Sequence, residues 1–263
     1  MMRYPFRKAI VYVLISVMLV QLCACGTVKD AFGKEDREET KVTKEHKDLK
    51  TPNYVPGKEP DYVTKEFNWK TNDGKHKMNV TLEIDKNMYD YFRSLKRSLT
   101  PFDGHMALYI TEENNLAILE DIAGQIKSRC EELGYDDRRT LMEVINFVQS
   151  LDYVLDSDSR DVEDYSKYPI ETLYDESGDC EDTSILLAGL AKAMGYDVIY
   201  IWYLSGHMAV GIYTDDYDGK YFEYEGRNYF YIETTGEGWE IGEEPEFNAV
   251  EVKYILSTDP EDY

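Results

Sequence analysis

One stretch constrains this chain more than any other: Gly178-Asp179-Cys180-Glu181-Asp182-Thr183-Ser184, running straight into the apolar residues 185–194. Gly178 permits a sharp turn, Asp179 is a favoured N-cap, and Asp182 puts an acid where a helix start favours one. Ile185, Leu186, Ala188, Leu190, Ala191 and Met194 then predict a helix buried over most of its surface, stopped by Gly195. Cys180 falls in the first turn of that helix. The N–H groups and the positive end of the dipole lie beside its sulfur, an environment that favours a thiolate.

The helix alone does not go far enough. Its terminus offers at most ~2 kcal/mol, or roughly 1.5 pKa units, whereas His-paired reactive cysteines fall from about 8.5 to about 3–4. A histidine is needed, and the chain has four. His46 lies in a charged linker, His76 in the turn Asn72-Asp73-Gly74-Lys75-His76, and His105 after Pro101-Phe102-Asp103-Gly104. His207 stands apart: it follows the strand-like residues 198–204 and a Ser205-Gly206 turn, and opens a second strand over 208–213. A third strand, 229–235, carries Glu233 near its end, an acid expected to accept the His207 Nδ1–H and hold the ring.

Three segments, Gly178-Asp179-Cys180-Glu181-Asp182, Gly206-His207-Met208-Ala209-Val210-Gly211 and Tyr231-Ile232-Glu233-Thr234-Thr235, resemble the motif blocks of the transglutaminase-like superfamily. Within it they are similar to the prokaryotic transglutaminase-like cysteine proteinases. The resemblance spans residues 138–245 and implies a papain-like core with Cys180 as nucleophile, His207 as general base and acid, and Glu233 as orienting acid. One departure is that the third position is usually Asp. Some such proteinases of the cell envelope depend on calcium, and the resemblance includes the acidic set Asp179, Glu181 and Asp182, whose oxygens suit Ca²⁺. Helix capping accounts for Asp179 and Asp182 without metal, and no spaced Asp/Gly loop occurs. No cofactor is therefore expected. No His/Cys spacing fits zinc.

At the N-terminus, Arg3, Arg7 and Lys8 precede an apolar run over 9–20, short for a membrane span and suited to a signal peptide. Leu22, Ala24, Cys25 and Gly26 resemble a bacterial lipobox, which implies a signal peptide over 1–24, lipidation of Cys25 and export to the outer face of the cell membrane. Cys130 falls in the stripe Leu119, Ile122, Ile126, Cys130, Leu133 and reads as core packing, so no disulfide framework is expected. Residues 25–60, mixed in charge and poor in apolar side chains, read as a disordered tether.

The chain carries a net charge of −23, and the negative excess falls on residues 61–263, since the signal region is positive and the tether balanced. Such a surface disfavours nucleic acid as a partner and favours a neutral or cationic protein or peptide substrate. The globular part, 61–263, divides into an N-terminal hairpin and helices (61–137) and a catalytic core (138–263). Its hairpin turns at Asn72-Asp73-Gly74. Helices are expected over 85–97, 116–133 and 138–151, a Tyr-rich acidic segment forming one wall of the cleft over 152–177, and, after the Cys180 helix, strands that include 220–224 and 250–256. Helices first and an antiparallel sheet later make the fold class α+β. The 23 tyrosines are expected mainly on sheet surfaces. The function expected is a surface-tethered, cysteine-dependent amide or peptide hydrolase acting through a thioester. The alternatives are transglutaminase-type acyl transfer, a non-catalytic binding module on the same fold, and a structural role in envelope assembly.

Overall fold

Polar and apolar residues alternate through Tyr62–Lys70 (β1) and Lys77–Asp85 (β2), so the two strands pair antiparallel with one face buried. The structure is a computed structural model that describes residues 52, 54–57, 59–97, 104–160, 165–214, 217–246 and 251–263. The signal peptide, Cys25, His46, the Thr100-Pro101 break, the first residue of the last expected strand and nearly all of the tether lie outside the described residues.

Asp85 ends β2 and caps Lys86–Ser94 (α1), its carboxylate accepting the Asn87 N–H. His105–Thr111 (α2), Glu113–Glu132 (α3) and Asp137–Gln149 (α4) follow. Helix α2 was not expected from the sequence. It is held by burial of Met106, Ala107, Tyr109 and Ile110 rather than by a capping signal, and Glu112, an unusual N-cap, starts α3 by accepting the Asn115 N–H. The hairpin lies on α3 and α4, with Phe67 edge-on to Phe147 at 5.3 Å.

The Tyr-rich acidic segment carries short elements of its own. Asp152–Tyr153 (β3) pairs parallel with Ser177–Gly178 (β4), and between them come Asp156–Arg160 (α5) and Pro169–Asp175 (α6). Arg97 enters this segment from α1's side. It stacks over Tyr165 (4.3 Å) and Tyr168 (4.8 Å) and forms a buried ion pair with Glu171. Tyr168 is buried here, and the strand tyrosines Tyr200, Tyr203 and Tyr231 are fully buried rather than on the sheet surface expected of them, because each ring fills interior volume.

Cys180–Ala193 (α7) is the predicted central helix, and its Ile185, Leu186, Leu187, Ala188, Leu190 and Ala191 are wholly inaccessible. Burying each of the larger aliphatics contributes about 1.5–3 kcal/mol as an upper figure. Helices α2, α3, α4 and α6 pack on one side, strands on the other. At Gly189 a Cβ would lie 2.6 Å from Leu119 Cδ1, so the glycine is what lets α3 approach so closely.

The strands are Asp197–Tyr203 (β5), Met208–Tyr213 (β6), Tyr221–Tyr224 (β7), Arg227–Ile232 (β8) and Val252–Ser257 (β9). They form one antiparallel sheet in the order β7-β8-β6-β5-β9, so the last strand does close an edge. Val198, Tyr200, Val210 and Ile232 face α7, while Ile199, Ile201, Tyr203, Tyr229 and Tyr231 form a second cluster on the other face. The architecture is α+β, as expected.

Candidate active site

The site begins with a capping box. Asp179 Oδ1 accepts the N–H groups of Glu181 (3.0 Å) and Asp182 (3.3 Å), and Asp182 Oδ2 reaches back to the Asp179 N–H. Asp182 folds over Gly178 so tightly that a Cβ there would sit 2.5 Å from the Asp182 Cβ. Its other oxygen accepts the Lys167 N–H at 2.7 Å, and the buried Lys167 Nζ lies 3.4 Å from Oδ2. Hydrogen bonds from two backbone N–H groups and the nearby Lys167 side chain pin the first turn of α7, and with it Cys180.

Two strands bring the partners to that turn. Ser184 Oγ donates to the Met208 carbonyl at 3.3 Å, tying α7 to the start of β6 just after His207. Thr183 and Thr234 share a hydroxyl contact at 2.8 Å, tying α7 to the segment just after Glu233. The Met208 N–H is directed at the Cys180 sulfur. His207 Nε2 lies 3.0 Å from Glu233 Oε2, with both side chains buried. Cys180, His207 and Glu233 are thus brought into one site. Cys130 is elsewhere, wholly buried in the core. His76 lies beyond β1 against Tyr135, and His105 opens α2.

Two details correct the sequence reading. Glu233 meets Nε2 of His207, not Nδ1. Nε2 is the ring nitrogen further from the backbone, so it is the far edge of the ring that reaches the acid. The second correction is the charge state of the thiol. Burial pushes Cys180 well above the ordinary cysteine range, the carboxylates of Asp179, Glu181 and Glu233 add to this, and the Met208 N–H pulls the other way. The helix terminus is outweighed by burial first, with the acids of the same turn adding to it. The resting nucleophile is a thiol.

Glu233 is the opposite case. Burial alone would raise its carboxyl, but the charge of His207 and hydrogen bonds from His207, Thr235 and Tyr231 hold it below its ordinary value. The sequence reading missed Tyr231 and Thr235 as partners of this acid; the strand expected over 229–235 ends at Ile232, and just beyond it the side chains of 231, 233 and 235 meet. It also missed Tyr153. That residue pairs with Gly178 in the β3–β4 ladder, and burial, with Cys180, Asp179 and Glu233 adding, holds its hydroxyl protonated. Gln149 was read only as helix, yet its side chain donates to the Glu233 carbonyl at 2.8 Å and accepts the Gly238 N–H at 3.0 Å, clasping the loop behind the acid.

Of the acidic set, Asp179 Oδ1 and both Asp182 oxygens serve the helix start and Lys167, Glu181 receives Ser166 Oγ at 3.4 Å, and no group of three or more His, Cys, Asp or Glu gathers as a metal set among the described residues.

No family model matches the sequence, and no curated protein matches it. Among solved structures, the chain is similar to calcium-bound LapG of Legionella pneumophila, at 17 % identity over 65 % of this chain and 83 % of that one, with a TM-score of 0.34. It is also similar to a candidate cysteine protease of Cytophaga hutchinsonii (12 % identity, 81 % and 76 % covered, TM-score 0.37). A third is described as a TGase (14 % identity, 64 % and 44 % covered, TM-score 0.32). At these scores the functional reading rests on the site's own geometry.

Proposed function

We propose that the protein is a cysteine-dependent amide or peptide hydrolase, with Cys180 as nucleophile, His207 as general base and then acid, and Glu233 as the residue that orients His207. The observation that carries this reading is the buried His207–Glu233 contact at 3.0 Å, next to a Met208 N–H directed at the sulfur of a first-turn cysteine. A histidine engaged through Nε2 by a carboxylate is left with Nδ1 for the thiol proton.

Because burial keeps the resting thiol protonated, proton transfer and attack are coupled. His207 Nδ1 takes the Sγ–H proton as the sulfur bonds to the amide carbonyl carbon. The C–N bond then breaks as His207 returns that proton to the leaving amine, giving a thioester. Water attacks the thioester with His207 taking its proton, and the C–S bond breaks with the proton returning to sulfur. The Cys180 backbone N–H, at the helix start, is read as one donor to the tetrahedral oxyanion.

The reading includes anchorage through lipid on Cys25, at the outer face of the cell membrane, with a protein or peptide substrate. In this reading Asp179 and Asp182 serve to hold the helix start that carries Cys180. Digestion of a denatured proteome by the full chain, followed by mass spectrometry of the new amino termini, tests the reaction. New termini that vanish with Cys180→Ala and His207→Ala support it. Termini unaffected by Cys180→Ala overturn it.

A further inference from the structure

Glu233 sits just beyond β8, and every acceptor position it offers is occupied. Oε1 accepts the Thr235 N–H at 3.0 Å and the Thr235 hydroxyl at 2.6 Å; Oε2 accepts the Tyr231 hydroxyl at 2.6 Å and faces His207 Nε2 at 3.0 Å. A carboxylate has about four lone-pair sites, so this one cannot turn without giving up a donor. The Tyr231 hydroxyl and the imidazole share a single oxygen. The Tyr231 ring is wholly buried, edge-on to Tyr203 at 6.4 Å, and Tyr203 is itself tied to Glu244 through its hydroxyl at 2.6 Å.

We propose that Tyr231 is a positioning residue for this site: its hydroxyl fixes the Glu233 oxygen that orients His207. The proposal rests on the hydrolase reading above and deepens it. Glutamate has one more rotatable bond than aspartate, and an acid with that freedom orients a histidine only if its oxygens are held from the other side. The end of β8 supplies the holder: Tyr231 stands two residues before Glu233, and its hydroxyl reaches the oxygen that faces the ring. Thr235 holds the second oxygen, but only Tyr231 shares the one that His207 uses. Threonine alone would leave Oε2 free to swing toward or away from the ring.

The test is the pH profile of iodoacetamide alkylation at Cys180 in the full chain, read by peptide mass mapping, for wild type, Tyr231→Phe, Glu233→Gln, the double variant and His207→Ala. The charged and titratable groups facing Glu233 are His207, Cys180, Tyr153, Tyr203 and Tyr231, and all but the substituted ones are common to the set. The phenylalanine keeps the ring and removes only the hydroxyl. Alkylation about tenfold slower at neutral pH, the scale of one hydrogen bond to a charged group, with the profile moved toward that of His207→Ala, is the expected result. In the Glu233→Gln background the tyrosine change should add nothing further, because it acts through the carboxylate. A Tyr231→Phe profile that overlies wild type while His207→Ala is slow overturns the role of Tyr231 and leaves the hydrolase reading standing. An effect that adds in full on Glu233→Gln also overturns it. If His207→Ala labels like wild type, the hydrolase reading falls and this proposal falls with it.

Discussion

His207 engages Glu233 through Nε2, 3.0 Å from Oε2, and the acid is wholly buried. A buried carboxylate survives as a charge only where donors surround it, and Tyr231, Thr235 and His207 provide them. We predict a graded series in peptide hydrolysis. Cys180→Ala and His207→Ala should abolish turnover, since nucleophile and base are both indispensable. Glu233→Gln keeps the shape and loses the charge, so it should leave a measurable residue, about 10²-fold or more below wild type. Steady-state kcat for each variant checks this; a Glu233→Ala enzyme as active as wild type would remove the acid from the account.

The same carboxylate sets a pH window for stability. Its folded pKa lies below the ordinary value, so the folded state binds fewer protons than the unfolded chain. The stabilisation is therefore fully present above about pH 4.3, the ordinary Glu value, and is lost as pH falls through the depressed folded value. Melts of wild type and Glu233→Gln should differ most near neutral pH and converge in acid. Curves that stay parallel down to the acid limit would contradict the assignment.

Arg97 and Glu171 form a buried ion pair whose side chains are 4 % and 0 % exposed. Glu171 also accepts the Tyr168 N–H at 3.0 Å and the Tyr165 hydroxyl at 2.8 Å. Arg97→Ala leaves that acid buried without its countercharge, and should cost about 3–5 kcal/mol in urea unfolding. Replacing both partners with apolar residues of similar volume should recover much of the loss. If Arg97→Ala costs no more than a typical surface substitution, the pair is not structural.

Gly178 is required by a contact rather than by its backbone angle. The Cβ of an alanine would lie 2.5 Å from the Asp182 Cβ, and Asp182 caps the first turn and pairs with Lys167. Gly178→Ala should therefore cost about 1–3 kcal/mol and lower kcat more than it raises KM, because the displaced turn carries Cys180. Unfolding curves and kinetics on the same preparation separate the two effects. An unchanged kcat with lowered stability would mean that the turn relaxes without moving the nucleophile.

What the sequence disclosed follows from how local each signal is. The nucleophile helix was legible because Asp179, Asp182 and the apolar run 185–194 are all within reach of one another, and the structure starts and ends that helix within a residue of the expected points. The β1–β2 hairpin was legible from alternation around Asn72-Asp73-Gly74. At β7–β8 the turn is tighter than expected: Arg227 and Asn228 already pair with Tyr224 and Glu223, leaving Glu225 and Gly226 as the turn. Helix α2 was hidden because burial against α7 holds it and no cap announces it. The Nε2 geometry, the charge state of Cys180 and the grip of Gln149 on the loop after Glu233 were hidden too. Each depends on residues brought together across dozens of positions, with no trace in local pattern.

The central claim is that His207 activates Cys180, and the rate of Cys180 alkylation against pH, with and without His207, tests it most directly. Burial and the flanking Asp179 and Glu181 hold the resting thiol above the ordinary cysteine range, so labelling at neutral pH requires His207 to take the proton as the sulfur attacks. The account predicts that wild type labels readily at neutral pH, whereas His207→Ala labels only well above about pH 8.5, the ordinary cysteine value. Superimposable profiles for the two proteins would show an ordinary thiol that His207 does not serve, and would contradict the account.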